Sequence, residues 1–187
     1  VILPASRDKT LKLWTSAVKE LIPLKGHTSN GFGCAFSPDG ERILSAGRDG
    51  AWKLWVSMTG TCVATNTEHG SGVSACCWSP DGSMFLTTAD DKLACLWDSR
   101  SLERIHTLFG HRGAVTCCDW SRDGIKIATG SEDQTAKLWD SRQHRKLATL
   151  SGHSKTVQTC TFSPDARHIV TGSDDCLIIE WSAINAK

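Results

Sequence analysis

The feature that most constrains this chain is a stretch that recurs at a nearly constant interval. It runs from Gly110 to Trp139, opens with a Gly-His pair, carries an Asp-Gly turn at Asp123-Gly124 and ends in Trp-Asp. The opening histidines, 42 residues apart, are His27, His69, His111 and His153. The closing tryptophans, with one interval of 41 residues and three of 42, are Trp14, Trp55, Trp97, Trp139 and Trp181. A repeat of this length, with His early and Trp-Asp late, predicts a four-stranded unit that is built several times over.

Within each repeat, the alternation of apolar and polar residues predicts three inner strands and one outer strand. The predicted first strands are residues 31–36, 73–78, 115–120 and 157–162. The second strands are 42–46, 84–89, 126–130 and 168–172, the third strands 51–55, 93–97, 135–139 and 176–181, and the outer strands 21–24, 62–65, 104–108 and 146–150. A turn such as Ser-Pro-Asp-Gly follows each first strand. Ala166 replaces the glycine in the last repeat, which predicts a different turn type there.

This skeleton resembles the WD-repeat (Trp-Asp) family over nearly the whole chain. The resemblance implies an all-β fold, a β-propeller, in which each repeat supplies the outer strand of one blade and then the three inner strands of the next. We expect a half blade at residues 1–14 and blades centred on residues 27–55, 69–97, 111–139 and 153–181, about four and a half blades in one domain over residues 1–187. Propellers of this family usually close with about seven blades. We therefore expect the chain to be part of a longer protein, with further blades upstream.

The resemblance also assigns a structural hydrogen-bond network to four residues of every blade. Its members are the His of Gly-His, a Ser or Thr ten residues before the Trp, an Asp six residues before the Trp, and the Trp itself. In this sequence they are His27, Ser45, Asp49 and Trp55; His69, Thr87, Asp91 and Trp97; His111, Thr129, Asp133 and Trp139; and His153, Thr171, Asp175 and Trp181. The half blade keeps Asp8 and Trp14 but has Pro4 at the hydroxyl position, so its network is broken or its register slips.

A Ser or Thr grouped with His and Asp also suggests the catalytic triad of a hydrolase. Four copies at blade spacing argue against that interpretation, because catalysis needs one site. An Asp, a His and an indole N–H instead satisfy one another's hydrogen bonds inside a buried blade. We therefore expect no catalytic residue, no enzyme activity and no cofactor.

The overall charge gives no reason to expect a nucleic-acid or membrane partner. The net charge is +1, which exerts little general attraction on polyanions or membrane surfaces. No apolar run comes close to the length of about 18 residues that a membrane-spanning helix needs. The densest basic cluster, at residues 142–146, has Asp140 nearby and no interleaved aromatic residue, which is typical of a solvated loop.

The cysteines indicate reduced core thiols. There are nine, an odd number, with no Cys-x-x-Cys pair. Four of them follow the repeated His by seven residues and precede an aromatic residue by two, at Cys34, Cys76, Cys118 and Cys160. This placement marks an inward-facing strand position, where Cys acts as a small hydrophobe. A zinc site is the alternative, but the repeat sends each His–Cys pair to a different blade, so we expect no metal. Reduced thiols indicate an intracellular, cytoplasmic protein, with the nucleus or a cilium as further locations.

In this family, three positions per blade commonly line the face around the central channel. They are the third and fifth residues after the His, and the residue before the network Asp. The first two give Asn30, Phe32, Gly72, Ser74, Ala114, Thr116, Thr156 and Gln158. The third gives Arg7, Arg48, Asp90, Glu132 and Asp174, basic on the first two blades and acidic on the last three. We expect a partner site at Arg7, Phe32, Arg48, Asp90, Glu132, Gln158 and Asp174, with Phe32 as an anchor. Ordinary solvated turns are the alternative.

The tetrapeptide Trp-Asp-Ser-Arg occurs twice, ending at Arg100 and Arg142. It is similar to the Trp-Asp-x-Arg box of substrate receptors that dock on the damaged-DNA-binding adaptor of cullin-RING ubiquitin ligases, where the Arg would pair with a partner carboxylate. We interpret the chain as a non-enzymatic protein–protein interaction scaffold within a multi-protein assembly. A ubiquitin-ligase substrate receptor is the alternative. The expected partners are other proteins, several of them in one large complex.

Overall fold

The computed structural model describes residues 10–14 and 20–184, without the side chains of residues 10–14, 20–22 and 32. These residues form seventeen β-strands and no helix, which agrees with the predicted all-β fold. No helix that is long and apolar enough to cross a membrane is therefore present in this part of the chain. Pro4, Asp8 and the expected partner residue Arg7 lie outside the described residues.

The strands form antiparallel sheets in chain order. A pair of strands comes first, β1 (Thr10–Trp14) and β2 (Glu20–Lys25). The first four-stranded sheet contains β3 (Gly31–Phe36), β4 (Arg42–Gly47), β5 (Trp52–Val56) and β6 (Cys62–Asn66). The second contains β7 (Val73–Trp78), β8 (Met84–Ala89), β9 (Ala94–Asp98) and β10 (Arg104–Leu108). The third contains β11 (Val115–Trp120), β12 (Lys126–Ser131), β13 (Thr135–Asp140) and β14 (Lys146–Ser151). The fourth has three described strands, β15 (Val157–Phe162), β16 (His168–Ser173) and β17 (Ile178–Ser182).

The strand bounds follow the periodicity of the sequence closely. The first strands of the four larger sheets have their predicted bounds, and so do β8 and β10. The largest difference is at β17, which begins at Ile178 instead of Cys176. Cys176 has a φ of 68° and belongs to the preceding turn. The predicted offset is also present, because β6, β10 and β14 each open a sequence repeat but complete the preceding sheet.

The hydrophobic core lies between neighbouring sheets, so an interior sheet is buried on both faces. Between the first and second sheets, Trp52 meets Phe85 and Trp97 edge to face, with ring centroids 5.0 and 5.1 Å apart. Trp120 and Trp139 belong to a similar cluster between the second and third sheets, and a further cluster joins the third sheet to the fourth. Because each sheet completes its core against the next, the sheets stack as propeller blades do.

The turn after β15 corrects the prediction made for Ala166. The Ala166 amide donates to the Ser163 carbonyl at 2.9 Å, as the Gly40 amide does at the same place in the first sheet at 2.8 Å. The φ angles are 59° at Ala166 and 74° at Gly40, so the turn type is the same. A left-handed alanine costs about 1 kcal/mol. Asp165 offsets this cost by accepting hydrogen bonds from Ser163 Oγ at 2.5 Å and from the Arg167 amide at 3.1 Å.

Successive strands of each sheet lie side by side and run antiparallel, so successive turns lie at opposite ends of the sheet. The turns between second and third strands share one end, which we call the charged end and define by Arg48, Asp90, Glu132 and Asp174. The turns after the first and third strands share the other end. We call it the arginine end and define it by Arg100 and Arg142.

Candidate functional site

One hydrogen-bonded chain runs through the first sheet from β5 to the turn that joins β4 and β5. Trp55 Nε1 donates to Ser45 Oγ at 2.9 Å, and Ser45 Oγ lies 2.8 Å from His27 Nε2. His27 Nδ1 lies 3.0 Å from both carboxylate oxygens of Asp49. Because a carboxylate only accepts, His27 donates from Nδ1 and accepts the Ser45 hydroxyl proton at Nε2. This hydrogen-bonded network therefore connects the segment before β3 to β4, to β5 and to the turn between them.

The same chain is present in the other three sheets, where Thr supplies the hydroxyl. The Trp–Thr, Thr–His and His–Asp distances are all 2.8 or 2.9 Å. Its members are His69, Thr87, Asp91 and Trp97; His111, Thr129, Asp133 and Trp139; and His153, Thr171, Asp175 and Trp181. In all four sheets the residue that carries the hydroxyl is fully buried. A substrate has no access to a hydroxyl in this position, so the geometry favours a structural role over a hydrolase triad.

In the third sheet, the electrostatics of this hydrogen-bonded network favour a neutral His beside a charged Asp. Burial by itself would raise the pKa of Asp133, but hydrogen bonds from Thr135, the Arg112 amide and His111 lower this pKa to about 2. Burial lowers the pKa of His111, against the opposing effect of Asp133. The contribution of the Asp133 carboxylate to stability is therefore complete above the unfolded-state pKa of about 4. It is lost as the pH falls through the folded-state pKa of about 2. In the second sheet, burial by itself would lower the pKa of the network His, but its hydrogen bonds raise the pKa of His69 to about 9.

We predict that Asp133→Ala lowers the free energy of unfolding of the full-length protein by about 3 kcal/mol, because it leaves three donors, two of them partly buried, without their acceptor. These donors are the Arg112 and Thr135 amides and His111 Nδ1. Urea unfolding followed by Trp fluorescence measures the change. Glu132→Ala removes the neighbouring exposed carboxylate and serves as the control, with an expected change below about 0.5 kcal/mol. Equal unfolding midpoints for the two variants would contradict the structural role of Asp133.

At the charged end, each turn residue that precedes a network Asp lies beside the segment that enters its sheet. Its amide donates to the carbonyl of the third residue after the network His, at 2.8 to 3.0 Å. The pairs are Arg48 with Asn30, Asp90 with Gly72, Glu132 with Ala114, and Asp174 with Thr156. All four charged residues are exposed. The structure thus brings three acidic residues to the same end of three consecutive sheets, with Arg48 on the sheet before them.

Two further residues expected on the partner face have different environments. Gln158 is exposed and its Nε2 donates to Asp174 Oδ2 at 3.0 Å, so these two side chains form one polar group. The side chain of Phe32 lies outside the described part of the chain. Whether Phe32 anchors a partner therefore stays a prediction.

The hydroxyls of Ser74 and Thr116, expected to line the channel face, are used between sheets instead. Ser74 Oγ donates to the Val115 carbonyl, and Thr116 Oγ1 donates to the Val157 carbonyl. Each bond crosses from one sheet to the next. These hydroxyls therefore stabilise the packing of neighbouring sheets, and their protons are already donated within the protein.

At the arginine end, the repeated Trp-Asp-Ser-Arg forms a capped turn. Asp98 Oδ1 accepts hydrogen bonds from the amides of Arg100 and Ser101 at 2.8 and 2.7 Å. Asp140 Oδ1 accepts the two corresponding bonds after β13, at 2.9 and 2.7 Å. Arg100 and Arg142 are exposed, and neither pairs with a carboxylate within the described residues. The Asp therefore has a local structural role, and both Arg side chains are available to a partner.

The cavity beside Arg142 contains a feature that sequence reasoning missed. It has a volume of ≈ 210 Å³ and is also lined by Arg122 and Trp120. Trp120 Nε1 is buried and has no acceptor among the described residues, whereas Trp78 Nε1 donates to the Ala35 carbonyl at 3.3 Å. Buried donors without a partner are rare in folded proteins. The only sequence feature that could have indicated this cavity is Arg122, which occupies the position of proline in the other three turns.

All nine cysteines lie within the described residues, and none of them forms a disulfide. Of the four at the repeated position, Cys160 is buried and Cys34, Cys76 and Cys118 are half-buried. Cys117 Sγ lies 3.4 Å from Cys160 Sγ of the next sheet. Among the residues that the structure describes, no three His, Cys, Asp or Glu side chains are placed to hold a metal ion.

The repeat, the meander and the four copies of one network all belong to a known pattern. The family profile described as "WD domain, G-beta repeat" matches residues 18–56, 60–98, 102–140 and 144–182. The chain belongs to the WD-repeat family. Each matched segment includes the outer strand of one sheet and the three inner strands of the next, which is the offset that the fold shows.

Parts of the chain are similar to several larger proteins. The chain is 40% identical over 55 residues to "Periodic tryptophan protein 2 homolog" of Dictyostelium discoideum, covering 29% of this chain and 6% of that protein. It is 36% identical over 74 residues to "Nuclear distribution protein nudF" of Aspergillus niger, covering 39% and 17%. It is 39% identical over 59 residues to human "WD repeat and SOCS box-containing protein 1", covering 29% and 14%. The matched part thus spans less than a fifth of the length of each of these relatives.

Proposed function

We propose that this chain acts as a non-enzymatic scaffold that holds other proteins in a multi-protein assembly. WD-repeat domains generally mediate protein–protein interactions, and the chain belongs to that family. The observation that carries the proposal is the charged end, where Asp90, Glu132 and Asp174 are exposed on three consecutive sheets. Proteins of one fold differ in function through such exposed positions.

The turns that present these residues are held rigidly. Asp133, directly after Glu132, accepts hydrogen bonds from His111, the Arg112 amide and both the amide and hydroxyl of Thr135. The Glu132 amide itself donates to the Ala114 carbonyl, in the segment that enters this sheet. A rigid turn has little conformational freedom to lose on binding, so more of the contact energy appears as affinity.

The charge of this end favours a basic partner surface. The four residues that define this end carry a net charge of −3 + 1 = −2, although the chain as a whole carries +1. Within the described residues none of these four groups takes part in an ion pair. Unpaired charges of one sign steer a complementary protein and select its orientation.

We predict that Glu132→Lys weakens capture of the partners by about tenfold, because it replaces attraction by repulsion at the centre of the acidic series. Its effect on stability should stay within about 0.5 kcal/mol, since Glu132 is exposed. The measurement is affinity purification of the full-length protein from cells, with quantitative mass spectrometry. Glu103→Lys makes the same charge change at an exposed residue of the opposite end and is the matched control. Equal recovery of partners by both variants would remove the charged end as the site.

A ubiquitin-ligase substrate receptor is the second candidate function. The observation that favours it is that Arg100 and Arg142 are both exposed and free of ion pairs in the described region, at the same end of neighbouring sheets. An Arg in this state is suited to pair with a carboxylate of an adaptor through two parallel hydrogen bonds. One human relative is also named for a SOCS box in addition to its WD repeats.

The double variant Arg100→Ala/Arg142→Ala tests this second function in the full-length protein. If the chain is a receptor, the unaltered bait recovers a cullin adaptor and the double variant loses it. Arg145→Ala removes an exposed Arg from the same turn as Arg142 and should retain the adaptor. A stable complex that contains no adaptor, or one that the double variant retains, would reject the receptor function and leave the scaffold.

We further propose that the four sheets are blades of one propeller of about seven blades. The shared cores between neighbouring sheets support this. We also propose a reducing, intracellular environment, which nine cysteines without a disulfide support. Proteins, rather than nucleic acids or membranes, are the proposed partners.

A further inference from the structure

A basic cavity lies on the flank of the third sheet and extends to the turn at the charged end through Asp133. It has a volume of ≈ 370 Å³ and is enclosed by the segment between β10 and β11 and by strands β13 and β14. Its charged lining consists of Arg112, Lys137 and Lys146 together with Asp133, which gives +3 − 1 = +2. The volume falls within the range of about 300–1,000 Å³ that is usual for small-ligand sites.

The strand register brings two of the three cations to one face. Lys137 pairs with Thr149, and Trp139 pairs with Lys146, across β13 and β14. Side chains two residues apart on a strand share a face, so Lys137 lies on the side of Trp139, whose ring packs against the second sheet. Arg112 reaches the same space from the incoming segment.

Lys137 is unusual for a lysine because only 6% of its surface is exposed. Its Nζ donates to Thr149 Oγ1 at 3.2 Å. Burial lowers the pKa of Lys137, Asp133 opposes this shift, and the neighbouring Lys146 and Arg112 lower the pKa further. In the described part of the chain, none of these three cations has a carboxylate within ion-pair distance. Three like charges thus line one cavity, and none of them has an ion-pair partner among the described residues.

Asp133 lines the same cavity but forms no ion pair with these cations, because its oxygens accept hydrogen bonds from other groups. Oδ2 accepts from His111 Nδ1 at 2.8 Å and from the Arg112 amide at 2.9 Å. Oδ1 accepts from the Thr135 amide at 3.0 Å and from its hydroxyl at 2.6 Å. The carboxylate thus serves the structural network and leaves the side chains of Arg112, Lys137 and Lys146 unpaired.

The other repeats show that this cluster is specific to the third sheet. The residues at the three cationic positions are Thr28, Lys53 and Cys62 in the first sheet, and Gly70, Cys95 and Arg104 in the second. The fourth sheet has Ser154 and Ile179 at the first two positions. Arg104 is also compensated, since its Nε lies 3.7 Å from Glu68 Oε2. The fold therefore does not require basic residues at these positions.

We propose that this cavity binds a phosphate group, as inorganic phosphate or as the phosphomonoester of a side chain. A phosphate dianion matches the local charge of +2, and its three terminal oxygens are strong acceptors. Arg112 suits two-pronged recognition of phosphate, while Lys137 and Lys146 act as point charges. The burial of Lys137 strengthens its attraction, because less water screens the charge. This proposal is independent of the scaffold function.

Isothermal titration calorimetry of the full-length protein tests the proposal, with inorganic phosphate and a phosphoserine peptide as separate ligands. We expect binding of at least one ligand, and Arg112→Ser and Lys146→Ala should each weaken it by about tenfold. Arg112→Ser keeps the fold because only the backbone amide at this position supports Asp133, and the Ser154 amide makes the same bond to Asp175 at 2.9 Å.

Lys53→Ala is the matched control, since it removes the solitary lysine of the first sheet, whose Nζ bonds to Thr65 Oγ1 at 2.9 Å. It should leave phosphate binding unchanged. Tighter binding of the phosphopeptide than of inorganic phosphate would assign the group to a modified protein, and the reverse would assign it to the free ion. No binding of either ligand at millimolar concentration, or equal weakening by Lys53→Ala and Arg112→Ser, would overturn the proposal.

Discussion

A buried hydroxyl that is shared between a Trp and a His sets the geometry of the four sheets. In the third sheet, Thr129 Oγ1 accepts a hydrogen bond from Trp139 Nε1 and donates to His111 Nε2, both at 2.9 Å. A buried polar group left unpaired costs about 1–3 kcal/mol, so the strands, the incoming segment and the turn are fixed relative to one another. This pairing also fixes the position of the exposed turn residue Glu132, because the next residue, Asp133, completes the network.

In these turns, a residue of the structural network therefore stands directly next to a residue that is exposed to solvent. Asp133 faces the network and Glu132 faces solvent, and the same holds for Asp91 and Asp90. Outward residues can change without cost to the core, which is how a repeated fold acquires different partners. The cavity at Arg112 is a further case, since only the Arg112 amide belongs to the network.

Local patterns in the sequence predicted the strands, because a period of two residues and the turn residues act over short distances. The resemblance to the WD-repeat family also predicted which residues meet at Thr129. The sequence was misleading at Ala166, where hydrogen bonds to Asp165 outweigh the preference for glycine. It also did not reveal the basic cavity, because Lys137 and Lys146 meet only through the register of β13 and β14. The sequence likewise does not show whether an exposed charged residue forms an ion pair, because its partner can lie in a segment that is distant along the chain.

Native-state hydrogen exchange of the indole protons tests the central claim most directly, in the full-length protein by NMR. The account predicts that the Nε1 protons of Trp55, Trp97 and Trp139 exchange only through global unfolding, with equal free energies of opening. Each of these protons is donated to a fully buried hydroxyl-bearing residue. Fast exchange at any of the three, under conditions where the backbone amides of β4, β8 and β12 remain protected, would show that the shared hydroxyl does not hold the strands of its sheet together.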